Sequence, residues 1–393
     1  MEKLFKIPFV FLFIASCIGL FLRYQVISPV EGVVYSNVLH AHSHVMFLGW
    51  VCNVLLVAFT TEFYAVQKFK TVFWFLQVCI LGMLVSFPLQ GYGAFSITFC
   101  TLHIVGVIVF VVLFFRASKP KRTISLILAR SALLFFMLSS LGPFFLGYLK
   151  ANSLDHTNLY RFSIYFYLHF QYNGFFLLGI LSLLVKLFEE QMPNEHLQSI
   201  ARGSYILIGC CIPAYFLSII WAQPSMMFNL IGFLAALLQI IGLWYFIAPT
   251  QNFFRNSSFA QTEKLLFSIC FLAIASKSIL QLISAIPAAA VFADEYRSIV
   301  IAYLHLVLVG CISFFLMAWL IRKRVIDDKG LFWAIGLILT GFTSSEMMLV
   351  MLPWNSATFH LPVHIFNSTL FWLSTLMVFG VGRLLQTVLI SKR

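Results

Sequence analysis

Charge is scarce in this chain: 13 acidic and 25 basic side chains are spread over 393 residues, 10% charged against 61% hydrophobic. So few polar groups cannot cover the surface of a water-soluble globule. The eight cysteines, Cys17, Cys52, Cys79, Cys100, Cys210, Cys211, Cys270 and Cys311, fall inside apolar runs with no C-x-x-C spacing, which excludes a disulfide framework and a zinc ribbon. The apolar runs lack the period-two alternation of a barrel wall, so a transmembrane β-barrel is excluded as well. There is no phosphate-cradling glycine loop, no nucleophile elbow and no basic-aromatic surface for nucleic acid. Long polar connections are also missing. The two longest, Glu189 to His196 and Pro249 to Thr262, are too short for a soluble domain.

What the chain has instead is apolar length. A hydrocarbon core of about 30 Å takes roughly 20 apolar residues per helix. About twelve such runs can be placed, over 7–25, 34–60, 70–88, 93–115, 124–148, 160–187, 202–222, 226–247, 264–286, 297–321, 331–353 and 362–388. The expected fold is an all-α polytopic membrane bundle forming a single transmembrane domain. The segment Ile14-Ala15-Ser16-Cys17 has the form of a lipoprotein cleavage site, but apolar residues continue to Leu22 and the first run is read as a retained helix.

The net charge of +12 is distributed by side. Lys3, Lys6, Arg116, Lys119, Lys121, Arg122, Arg202, Lys264, Arg322, Lys323, Arg324, Lys392 and Arg393 belong to one set of connections, whereas only Arg23, Lys150, Arg161 and Arg297 belong to the other. This is the positive-inside pattern. It predicts cytoplasmic termini, an even number of crossings and residence in a bacterial inner membrane.

Three histidines carry the strongest internal signal. His44, His169 and His305 are each followed five residues later by a glycine, Gly49, Gly174 and Gly310, near the start of the second, sixth and tenth runs. Tyr167-Leu168-His169 matches Tyr303-Leu304-His305. The spacing divides the chain into three four-helix units, roughly 1–115, 124–247 and 264–388, expected as three pseudo-symmetric arcs. On an α-helix the glycine would lie about 140° from its histidine, which assigns it to helix packing rather than to a ligand face.

Polar side chains inside a bilayer are costly and mark partners, cofactors or water. Most histidines cluster toward one side of the predicted membrane, which suits one layer of cofactor sites better than a path across it. His40 and His44 share a face, while His42 points about 200° away from His40. Bis-imidazole haem ligation needs neutral histidines from two helices. His44 and His305 are the first choice for a b-type haem, with His40 or His42 as substitutes for His44. Arg161 and Arg297, at the same side, are placed to meet haem propionates. His360 and His364, four apart at the start of the last run, are a candidate copper or zinc pair. His169, with Gln171, Tyr172 and Asn173, is a candidate metal or ligand site. Lys277 and Glu346 are embedded charges suited to a proton path or a structural ion pair.

Twelve helices with histidines on the second, sixth and tenth, and the stretches Leu39-His40-Ala41-His42-Ser43-His44 with Gly49-Trp50 and Tyr303-Leu304-His305 with Gly310, resemble the heme-copper oxidase and nitric-oxide reductase subunit I superfamily. The resemblance covers most of the chain as architecture. It implies a low-spin haem between His44 (or His40 or His42) and His305, and a copper ligand at His169. Three features depart from the family pattern. The seventh run contains no histidine, only Cys210-Cys211, and His305 stands alone on the tenth. Asn173, not tyrosine, lies four residues after His169, with Tyr172 one residue short. These departures point toward small haem and copper relatives of the NnrS type. The expected activity is electron transfer, or binding or reduction of nitric oxide or dioxygen, as an oxidoreductase fed by quinol or an external electron carrier. The rival readings are a metal-ion transporter with an outer histidine entry site and a non-catalytic membrane scaffold.

Overall fold

The computed structural model describes residues 2–65, 68–118, 123–223, 225–256, 258–326, 331–355 and 360–390, without the side chains of Glu2, Asn252, Arg255 and Asn256. The basic residues Lys119, Lys121, Arg122, Lys392 and Arg393 lie outside these. Among the described residues there is no strand, and 12 helices are long and apolar enough to cross a membrane. They are α1 (Lys3–Ile27), α2 (Tyr35–Glu62), α3 (Phe69–Gln90), α4 (Ala94–Ala117), α5 (Ile124–Ala151), α6 (Asn158–Phe188), α7 (Asn194–Ala222), α8 (Met226–Ile247), α9 (Gln261–Ile283), α10 (Arg297–Arg322), α11 (Leu331–Trp354) and α12 (Val363–Ile390). This is an all-α polytopic membrane protein.

The spans agree with the hydropathy reading except where polarity or proline intervenes. α7 begins at Asn194 rather than near 202, because its opening turns, Asn194-Glu195-His196-Leu197-Gln198, are helical but polar. It finishes as a 3-10 helix over Pro213–Ala222. Pro213 has no N–H to continue an α-helical ladder, so the tighter winding starts there. α9 stops at Ile283, and Pro287 opens a separate short helix, Pro287–Glu295, that hydropathy alone does not separate.

The chain forms two compact units, Met1–Ser118 with Leu320–Arg393, and Lys119–Trp319. In the first, α1 packs on α2 and α12, α3 on α2 and α4, and α11 on α12. In the second, α5 packs on α6, α7 on α6 and α8, and α9 on α10. α2 and α6 are the most buried spans, at 83% and 94% of their apolar windows. α2 and α6, which carry His40, His42, His44 and His169, are therefore surrounded mostly by protein, whereas α10, which carries His305, is buried over 56% of its window.

Each of the three marked helices changes winding directly after its histidine. His44, His169 and His305 are the residues that precede π-helical stretches at Val45–Cys52, Phe170–Phe176 and Leu306–Ser313. π-Helix is rare in proteins, usually a single turn, and frequent at functional sites. Each stretch packs against the helix that precedes it in the chain: α1 for α2, α5 for α6 and α9 for α10. The 140° separation expected of an α-helix does not hold across such a stretch, yet the packing role of Gly49 and Gly174 does. A Cβ on Gly49 would lie 2.8 Å from Phe11 of α1, and one on Gly174 would lie 2.5 Å from Phe135 of α5.

Side chains hydrogen-bond to carbonyls of two of these wide turns, in α2 and α10. Asn53 Nδ2 donates to the Gly49 carbonyl (2.9 Å) and to Gln77 Oε1 of α3 (2.9 Å), and Gln77 Nε2 donates back to Asn53 Oδ1 (3.1 Å). In α10, Ser313 Oγ donates to the Leu308 carbonyl (2.7 Å). Such bonds matter most where water is excluded. Gly49→Ala and Gly174→Ala are each expected to cost about 1–3 kcal/mol by overpacking, read as a lower thermal unfolding midpoint of the purified protein in detergent.

Candidate functional site

The helical part of α2 that precedes its π turn, Tyr35–His44, divides its histidines between two neighbours, as the 3.6-residue period requires. His40 and His44 face the end of α3 and the turn after it. The His44 ring lies 4.4 Å from Phe87, and the His40 ring 4.5 Å from Tyr92. His42 faces α1 instead, where its Nδ1–H donates to the Ala15 carbonyl (2.8 Å) and its ring packs on Gly19. Tyr92 reaches the site from Gly91-Tyr92-Gly93, a turn in which Gly91 has φ +58°. Sequence reasoning did not single out Phe87 or Tyr92; the paired glycines were the available signal.

His44 Nδ1 lies 2.9 Å from the His40 carbonyl. A carbonyl only accepts, so Nδ1 carries the proton and Nε2 keeps its lone pair. That tautomer, fixed by a main-chain acceptor, is the one an iron-ligating imidazole uses. His44 therefore fits a haem ligand, with Phe87 and Tyr92 as aromatic walls. His42 has the same tautomer but spends its position on packing α1 against α2. In the same unit, His103 of α4 is fully buried and, among the described residues, has no hydrogen-bond partner on either ring nitrogen.

His169 is held differently. Its Nε2–H donates to the Cys211 carbonyl of α7 (2.8 Å), and its Nδ1 accepts from Asn173 Nδ2 (3.1 Å), with Ser218 Oγ at 3.4 Å. Both nitrogens are engaged, so a copper ion would have to displace a hydrogen bond. Among the described residues, no three His, Cys, Asp or Glu side chains converge as a metal-binding group. His169 does not fit the copper role implied by the family resemblance. Gln171 completes the junction by accepting from Ser139 Oγ of α5 (2.8 Å).

His305 occupies the same place before its π turn as His44 and His169, and it is half-buried. Arg161 pairs with Asp294 and lies 3.6 Å over the Trp221 ring, an ion pair and a cation–π contact that together anchor the start of α6. Its guanidinium is thereby occupied by protein groups. Arg297 is exposed as the first residue of α10. His360 precedes α12 with φ 50°, and the helix starts at Val363, so the four-residue spacing to His364 does not put both on one helical face. Both are exposed.

His169→Leu is expected to leave the buried Asn173 amide and Cys211 carbonyl without their partner, at about 1–3 kcal/mol. Thermal unfolding should register this loss, while the metal content by mass spectrometry stays that of the wild type. Compared with models of known protein families and with curated proteins, the chain matches none.

Proposed function

We propose that this chain is an integral-membrane haem protein that transfers electrons or binds a diatomic gas such as nitric oxide or dioxygen, with a b-type haem held by His44. The observation that carries the reading is the state of that one imidazole. It is oriented by the His40 carbonyl, leaves Nε2 as its ligand atom, and sits directly before a π turn within one of the most buried spans. A haem supplies either a reversible one-electron change, when both axial positions carry protein ligands, or an open iron position for a gas. The chain's own residues orient and enclose: the His40 carbonyl fixes the tautomer, and Phe87 and Tyr92 flank the ring. Electrons would reach it from quinol in the bilayer or from an external carrier. Reduction of nitric oxide or dioxygen is the enzymatic form of the same reading, and copper at His169 is not part of it.

A reduced-minus-oxidised absorbance spectrum of the purified protein, expressed with ample haem, tests this directly. The wild type is expected to give a b-type signal that His44→Ala loses and that a control His196→Ala, in the polar first turns of α7, keeps. A wild type that contains no haem would end the reading and turn attention to metal-ion transport. A signal that survives His44→Ala would remove His44 from the site.

A further inference from the structure

The second unit contains a buried cation that the haem reading does not use. Lys277 stands in the middle of α9, 3% exposed. Among the described residues its ammonium donates to Gln281, one turn further along the same helix, and no carboxylate pairs with it. An ammonium carries three donors, so the Gln281 bond leaves two. In a bilayer interior such a charge needs a counter-charge, a water-filled path or a functional reason.

The side chains around Lys277 are donors rather than acids. Cys211 of α7, Cys311 in the π turn of α10 and His169 of α6 lie near enough for its charge to act on them. Cys311 also lies near Tyr303, whose half-buried hydroxyl makes no hydrogen bond among the described residues. The Tyr303 ring is 6.3 Å from that of Tyr172, which is hydrogen-bonded to Ser218. Among the described residues, four spans of one unit thus bring an ammonium, phenol hydroxyls and thiols together without an acidic side chain pairing with the ammonium. His169 adds no compensating charge, since its two nitrogens are spent on Cys211 and Asn173. An interior of this kind is selective by sign.

We propose that Lys277 is the centre of an intramembrane binding site for a small monovalent inorganic anion, with the Tyr303 hydroxyl as a second donor. The ammonium supplies charge and two N–H groups, the phenol one O–H, and the surrounding apolar helices exclude large or divalent anions by size and desolvation. The site stands independently of haem, because every group in it belongs to α6, α7, α9 or α10 of the second unit.

The test is thermal unfolding of the full-length protein in uncharged detergent, followed by tryptophan fluorescence, in sodium chloride, sodium nitrate or sodium gluconate at equal ionic strength. A ligand that binds only the folded state raises the midpoint by mass action. Chloride or nitrate is expected to raise the wild-type midpoint saturably over gluconate. Lys277→Met should unfold at one midpoint in all three salts, and Tyr303→Phe should need about tenfold more anion for half the effect. Identical wild-type midpoints in the three salts would overturn the proposal. So would an anion-dependent rise that persists in Lys277→Met. If Lys277→Met does not fold, Tyr303→Phe decides alone, an unchanged half-saturating concentration counting against the site.

Discussion

Within a hydrocarbon layer, every main-chain N–H and C=O must find its partner inside the protein, and the rest of this structure follows from that demand. Twelve apolar helices meet it along most of their length with their own ladders. At three places the ladder changes step, and at two of them side chains supply other partners. Asn53, locked by Gln77, serves the Gly49 carbonyl, and Ser313 serves the Leu308 carbonyl. These polar side chains are buried because the wide turns need them.

The same turns bring a histidine to the edge of each altered stretch, yet His44 and His169 end in different chemical states. His44 spends Nδ1 on its own helix and keeps Nε2. His169 spends both nitrogens on neighbours from α6 and α7. The same place before a π turn therefore does not imply the same role. The difference arises from what the adjacent helices present: an aromatic pair from α3 and its following turn beside His44, and a free main-chain carbonyl beside His169. That carbonyl belongs to Cys211, just ahead of Pro213, where α7 passes into tighter winding.

Polar groups in the second unit show how charge is managed without many charges. Arg161 is answered by Asp294 and by the face of Trp221. Lys277 is answered by an amide of its own helix and surrounded by hydroxyls and thiols. The first arrangement ties down a helix start near the end of a span. The second leaves a positive charge in the interior with donors around it, and an anion completes that set.

Hydropathy and helical periodicity made a large part of this legible beforehand. The twelve spans, the opposite directions of His42 and His40, and the packing role of Gly49 and Gly174 all depend on local spacing, which a single chain carries in full. The true start of α7 escaped because Asn194 to Gln198 are polar, and hydropathy registers lipid contact rather than helix. The π turns escaped as well, since nothing in the pattern of apolar residues distinguishes an i→i+5 ladder from an ordinary one; only the His-x4-Gly spacing marked where they fall. Tertiary structure alone decided which nitrogens of His42, His44 and His169 are occupied, that His360 stands outside the helix of His364, that Arg161 is already paired, and that Lys277 has no acidic partner among the described residues. Those outcomes depend on residues distant in sequence, brought together by packing, and no local pattern encodes them.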